Sequence, residues 1–322
     1  MGQAVEDPRG EGETSDEWSR WLLHHRHGGD ASWKQRVDAT IAGYADRVIE
    51  ACHLSAQATL VDIGTGDGVV AFRAIRRVGP GLHAVLTDIS GPLLQHAQQR
   101  AAEQGFADQC SFLRASAEDL RVIRDASVDA VVARAALAYV ADKPAALREF
   151  FRVLKPGGRV SVCEPLLQEA ALDTVALHKM ADERGSIPGH ELLPLLHRWQ
   201  AAQFPDTLEA LMADPLSNYS ERDLFGFFQA CGFVDTHLEL HLDARRAEAR
   251  SWESFLQASP HPWAPPHGTL LRERFSEAEQ ALIEGLIRPG VQAGGEGAVE
   301  RIVFVSATKP ALQPAPQLAP TH

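Results

Sequence analysis

The chain has 322 residues, 45% of them apolar, which is enough for a buried core with additions around it. Its formal charge of −12 argues against a non-specific grip on nucleic acid, which depends on neutralising phosphates. No apolar run approaches membrane-spanning length, and the polar, acidic stretch from Met1 to Asp16 is unlike a secretory leader. The cysteines (Cys52, Cys110, Cys163 and Cys231) lie far apart without metal-ligand spacing, so reduced thiols and a cytoplasmic location are expected, with no membrane partner.

In chain order, residues 1–15 read as a disordered tail and 16–56 as an N-terminal helical cap. In the cap, Trp18, Trp21, Leu22 and His25 fall at helical spacing, Gly28-Gly29 ends that helix, and a second helix runs from about Ser32 to Cys52. Then comes the most informative stretch, Thr59-Leu60-Val61-Asp62-Ile63-Gly64-Thr65-Gly66-Asp67-Gly68, followed about twenty residues later by Leu86-Thr87-Asp88. A short apolar run bounded by glycines suits a strand of a parallel sheet. The glycines let the turn adopt backbone angles closed to other residues and bring main-chain N–H groups close to a ligand. Asp88 would sit at the tip of the second strand, where a carboxylate can accept from both hydroxyls of a ribose.

Strands follow at Cys110–Ala115 and Val128–Ala133, then a helix from about Pro144 to Leu154, stopped by Lys155-Pro156-Gly157-Gly158, and a fifth strand at Arg159–Cys163. Residues 57–164 thus read as a core and 165–229 as a helical insertion; 230–242 hold a sixth strand behind Ala230-Cys231-Gly232-Phe233. A second insertion, 243–299, precedes a seventh, antiparallel strand within 300–309, and 310–322 form a proline-rich tail. Alternating strands and helices predict an α/β fold with helices on both faces of a mostly parallel sheet.

The glycine spacing separates two kinds of nucleoside cofactor. A dinucleotide turn has the form G-x-G-x-x-G, with the pyrophosphate at a helix N-terminus. Here the third glycine comes one residue early, and Asp62 and Asp67 bracket the turn. Carboxylates there would repel a pyrophosphate but suit a cofactor carrying an ammonium and a sulfonium. This segment resembles the first motif of the class I S-adenosylmethionine (SAM) dependent methyltransferases, and Arg148–Gly158 is similar to the turn before the fifth strand of UbiE-like members. The resemblance covers roughly residues 57–165 and the two later strands, and implies a Rossmann-like, seven-stranded sheet.

The resemblance also implies a set of contacts. Gly64, Thr65 and Gly66 would face the methionine and ribose parts, Asp62 would hold the amino end, Asp88 the ribose, and Ile89 would pack on the adenine. Ser116 stands where many relatives have an Asp for the adenine amino group, Ala117 would offer a backbone N–H, and a carbonyl of Ala133 or Arg134 would accept from the ammonium. The two insertions and the N-terminal cap, folding over the strand ends, would wall a closed, largely apolar pocket, suited to a small organic acceptor, by analogy one of secondary metabolism. An Asn/Asp-Pro-Pro-aromatic motif is missing after the fourth strand, where Ala133-Arg134-Ala135-Ala136-Leu137 stands, so amide or nucleobase methylation is not expected.

Methyl transfer requires in-line alignment of acceptor, methyl and sulfur, with a base if the acceptor is a hydroxyl. Candidate bases are Glu164 after the fifth strand, His25 (with His24 and His27) in the cap, and His178, which shares a helix face with Asp182. Trp199, Trp252, Trp263 and Phe255 either line the pocket or pack the insertions together. No metal is expected. The cap could close its own site or reach a neighbour, and the expectation leans to a homodimer. Macromolecular methylation, and SAM binding without methylation, stand as alternatives.

Overall fold

In the computed structural model, residues 15–311 are described, so the expected tails at 1–15 and 310–322 lie almost entirely outside the described residues. The predicted strands assemble into one seven-stranded sheet in the order β3-β2-β1-β4-β5-β7-β6. β1 (Thr59–Ile63), β2 (His83–Asp88), β3 (Cys110–Arg114), β4 (Val128–Arg134) and β5 (Leu154–Pro165) pair in parallel. β7 (Gly295–Thr308) runs antiparallel between β5 and β6 (Val234–Ala247). From β1 the chain turns outward through β2 to β3, then returns to place β4 on the other side of β1. The carboxyl ends of β1 and β4 therefore part at a topological switch point, where such sheets form a crevice.

Side-chain alternation along each strand feeds two cores. Val61 and Ile63 join one beneath α5 (Lys143–Val153) and α9 (Glu221–Ala230), whereas Leu60 faces the other, with α2 (Ala31–Ala51), α3 (Val69–Val78) and α4 (Gly91–Glu103). α5 begins one residue before the expected Pro144, because the Asp142 side chain caps it by accepting from the Ala145 N–H at 2.8 Å. Lys155–Gly158 does not break β5 from α5 as a free turn. It bulges out between Leu154, paired with Val128, and Arg159, paired with Ala130, with Gly157 at φ +81°.

The first insertion carries α6 (Gln168–Arg184), α7 (Leu193–Ala201) and α8 (Leu208–Ala213) ahead of α9. The second is shorter than the expected 243–299. β6 and β7 continue pairing out to Ala247 and Gly295, so the insertion is 248–294, with α10 (Trp252–Gln257), α11 (His267–Arg274) and α12 (Glu277–Ala293). The two insertions share a third apolar cluster in which Leu195 and Trp199 of the first meet Trp252, Phe255 and Leu270 of the second. Trp199, Trp252 and Phe255 are thus packing residues of this lid, each under 9% exposed, while Trp263 stays 40% exposed.

The cap is α1 (Glu17–Arg20), continued by a π-helical turn over Trp21–His25, and α2. It is fastened to the second insertion: Trp21 Nε1 donates to the Ser259 carbonyl at 3.2 Å, and Ser254 Oγ to the His27 carbonyl at 3.2 Å. A Cβ at Gly28 would lie 1.8 Å from the Ser254 carbonyl oxygen, so only glycine lets the two segments touch. Among the described residues no helix is long and apolar enough to cross a membrane.

Candidate active site

A cavity of about 310 Å³ occupies the switch point. Asp62, Gly64, Thr65 and Gly66 line it from the end of β1, and Asp88 and Ile89 from the end of β2. Ser116, Ala117 and Arg134 complete the expected set around it. Ala133 does not reach it: its side chain is wholly buried within the sheet core.

The turn after β1 is held by the two carboxylates. Asp88 Oδ2 accepts from the Gly66 N–H and Oδ1 from the Ser90 N–H, both at 2.9 Å, while the Thr65 N–H donates to the Thr87 carbonyl at 2.9 Å. Asp62 Oδ2 accepts from Thr65 Oγ1 at 2.7 Å and from the Ala71 N–H at 3.2 Å, linking the turn to the start of α3. Burial raises both carboxyls against these hydrogen bonds, Asp62 to about 7. Asp67 is committed elsewhere, in an ion pair with Arg100 at 2.6 Å. The glycines are needed sterically. Gly64 sits at φ +60°, and a Cβ there would come 2.5 Å from Ala136 Cβ; one at Gly66 would press on Leu22 of the cap at 3.1 Å.

Further residues line the cavity, of which Arg26, Tyr139 and Pro262 had no marker in the sequence. Trp18, Trp21, Leu22 and Arg26 of the cap cover the cavity, and Pro262 of the second insertion closes on it. Tyr139, from the loop after β4, meets Trp18 and Trp263 edge-to-face at 5.2 and 5.4 Å. The helical spacing of Trp18, Trp21 and Leu22 marked the cap in the sequence, and closing over its own site was one of its two expected positions.

The three candidate bases do not line the cavity. Glu164, at the end of β5, is wholly buried and turned into the loop after β4. Its Oε1 accepts from the Ala136 and Leu137 N–H groups at 3.3 and 3.1 Å, and its Oε2 from Ala138 at 3.0 Å. A catalytic contact is replaced by a positioning one, because these N–H groups follow the left-handed Ala135 (φ +48°) and have no strand partner. His25 Nδ1 lies 3.2 Å from the Gln257 carbonyl, tying cap to insertion. His178 is remote, on α6, where its ring stacks on His197 at 4.3 Å. His197 Nε2 lies 3.0 Å from Asp206 Oδ2, and His178 Nδ1 lies 2.9 Å from the Asp206 carbonyl. These three residues could hold a metal ion, a grouping hidden in the sequence because α6, α7 and the Asp206 loop meet only on folding.

Residues 54–204 match the family model of a methyltransferase domain. Among relatives, the ubiquinone/menaquinone biosynthesis C-methyltransferase UbiE of Hahella chejuensis is 39% identical over 36% of this chain, and that of a Bradyrhizobium strain 37% identical over 38%. The chain spans about half the length of these relatives, 46% and 47%. Of solved structures, the YcgJ protein of Bacillus subtilis is 15% identical with a TM-score of 0.52, covering 83% of this chain and 97% of its own. The [4+2]-cyclase SpnF is 19% identical with a TM-score of 0.51, covering 90% and 89%. These last two share the fold. Over the matched residues 54–204 the chain resembles a methyltransferase domain, and the sheet they enter has the Rossmann-like fold of the SAM-dependent methyltransferases, whose cofactor is SAM.

The residues present fit that cofactor. Buried carboxylates at Asp62 and Asp88 suit a ligand with an ammonium at one end and a ribose further along, and the glycine turn leaves its backbone bare to the cavity. Gly64→Ala is expected to cost roughly 1–2 kcal/mol for the left-handed backbone alone, before the collision with Ala136. Thermal unfolding should show the loss, and titration with S-adenosylhomocysteine a matching loss of affinity. An unchanged variant would mean that the turn has slack the geometry does not contain.

Proposed function

We propose that the chain is a SAM-dependent methyltransferase acting on a small organic acceptor. The observation that carries this is the covered cavity at the β1–β4 switch point, with Asp62 and Asp88 on one side and the aromatic cap on the other. In this reading Asp88 accepts from the ribose hydroxyls, Asp62 anchors the amino end, Ile89, Ser116 and Ala117 surround the base, and a carbonyl near Arg134 supports the ammonium. SAM supplies a methyl group already activated by its positive sulfur.

The chain's contribution is alignment and exclusion of water. Trp18, Trp21 and Leu22 cover the cavity and Tyr139 bounds it, so an acceptor entering beside them leaves its water shell. Among the described residues no histidine lines the cavity; of its carboxylates, Asp62, Asp88 and Glu118 accept from backbone N–H groups and Asp67 is paired with Arg100. That favours an acceptor atom needing orientation more than a strong base. A cavity of this size, roofed by the cap, suits a small molecule better than a protein or RNA surface. A place in secondary metabolism is an extension from the lid alone, and a cytoplasmic, homodimeric form is the expectation carried from the sequence.

Turnover is the test: purified protein with SAM and extracts of small metabolites should yield products heavier by one methyl group. Binding of SAM without any such product would favour a protein that uses the cofactor otherwise. A pH series tests the anchor. With Asp62 raised to about 7 in the ligand-free protein, a bound ammonium favours its ionised form. Affinity for S-adenosylhomocysteine should therefore fall by up to about tenfold per unit as pH drops below 7 and level off above it. In Asp62→Asn this slope should vanish. If the slope persists, another group anchors the amino end.

A further inference from the structure

A second cavity, of about 640 Å³, adjoins the first. The two share Trp21, Arg26, Arg134, Ala135 and Tyr139 as lining, which makes these residues the neck between them. The cap contributes Arg26 and the end of β4 contributes Arg134, so two guanidiniums from distant parts of the chain meet at one place.

Among the described residues neither has an anionic partner of its own. Among the described residues neither guanidinium makes an ion pair or a side-chain hydrogen bond; Arg134 Nε is buried without a partner, and Arg26 lies over the Trp21 ring at 5.5 Å. The carboxylates near them are committed: Asp67 to Arg100, Asp38 to Lys34, Asp62 to Thr65 and Ala71, and Glu164 to three backbone N–H groups. The like charges are felt, for burial and the Arg134 charge lower Arg26 to about 10. Holding two partly desolvated cations together is unfavourable unless an anion bridges them. Planar guanidinium forks match a carboxylate in geometry and charge.

The outer cavity indicates the rest of the ligand. Trp33 and Tyr44 line it beyond Trp21 and Tyr139, giving flat apolar walls. Asp243, Glu248 and Glu300 also line it, from the β6–β7 side; Glu248 is paired with Arg36. Arg36, Arg246 and Arg250 line it too, so the outer cavity carries mixed charge, and the paired guanidiniums of the neck are the place for a negative group.

We infer that Arg26 and Arg134 seat a carboxylate of the acceptor at the neck, making the acceptor an organic acid with a flat, apolar body lying in the outer cavity. This rests on the reading that the inner cavity holds SAM. A carboxylate could also come from the amino-acid end of the cofactor, so the experiment separates the two sources.

The probes are 2-naphthoate and its uncharged counterpart 2-naphthamide, titrated by calorimetry into the full chain with and without saturating S-adenosylhomocysteine. The expected result is binding of naphthoate at least tenfold tighter than naphthamide in the loaded protein. That preference should collapse toward unity in Arg26→Gln and in Arg134→Gln, and partly return in Arg134→Lys, which keeps the charge but loses the fork. Because the replacements relieve repulsion between cations, their unfolding midpoints should stay close to that of the parent. No preference in the parent protein, a preference that survives both substitutions, or midpoints that fall steeply in both would overturn the inference. Naphthoate competing with S-adenosylhomocysteine, with no preference left once the latter is bound, assigns the seat to the cofactor and also overturns it. Failure of S-adenosylhomocysteine to bind at all would instead strike the SAM reading.

Discussion

Asp88→Ala is expected to weaken SAM and S-adenosylhomocysteine binding by about 1.5–3 kcal/mol, roughly 10- to 100-fold, as loss of a charge-assisted hydrogen bond implies. The structure gives a reason for the upper end. Both Asp88 oxygens already hold backbone N–H groups, of Gly66 on the β1 turn and Ser90 at the start of α4. Alanine would remove the proposed ribose acceptor and also release the glycine turn beneath the cofactor. Asp88→Asn should fall between, since one amide oxygen can keep one of these N–H groups. Calorimetric titration of the three proteins checks the order. Equal affinities would remove the central claim about the site.

Glu164→Ala is expected to be the most destabilising single change near the cavity. It would leave three consecutive N–H groups, of half-buried Ala136 and of buried Leu137 and Ala138, without their acceptor. Unsatisfied buried donors cost about 1–3 kcal/mol each, so a loss of at least about 2 kcal/mol is expected. Glu164→Gln should cost less, because its oxygen keeps part of the set while its NH2 faces a donor. Activity should drop in both through the loop: Ala136 is the residue that closes on Gly64, and Tyr139 follows it into the cavity wall. Lys143 braces the same loop, donating to the Ala138 and Val140 carbonyls at 3.2 and 3.1 Å and to Pro215 of the first insertion at 2.7 Å.

A pH signature separates this role from a catalytic one. Burial raises Glu164 from 4.5 to about 7 in the folded chain, against the lowering effect of its three N–H donors. The folded state therefore holds the proton longer than the unfolded state does. Its contribution to stability is complete below pH 4.5 and declines as pH rises to about 7. Glu164→Gln should remove that portion of the decline in denaturant titrations between pH 5 and 8, leaving the similar portion due to Asp62. A variant with normal stability at every pH but no turnover would return Glu164 to catalysis.

The sheet and its cofactor crevice were legible because their signals are local. A strand, a glycine turn and a helix are written within about twenty residues, and Asp88 lies one crossover further on. The backbone angles that the turn needs exclude most residues, so glycine leaves a mark in sequence that packing alone does not. Strand ends were less legible. β6 and β7 run past their apolar segments because their outer residues pair with each other, and cross-strand hydrogen bonds do not depend on side-chain polarity.

The sequence by itself determined the fold, the class of cofactor expected and the carboxylates that line the crevice, because chain connectivity alone brings those groups together. Only the tertiary structure decided what closes the site and which way each polar group points. Glu164 stands at a strand end like Asp88, yet one turns into a neighbouring loop and the other toward the crevice, a choice made by which backbone donors lack partners. Arg26 and Arg134 lie 108 positions apart in the chain, and nothing local in either marks their meeting. That meeting follows from the cap folding over the carboxyl end of β4, where burial over long chain separations outweighs any local preference.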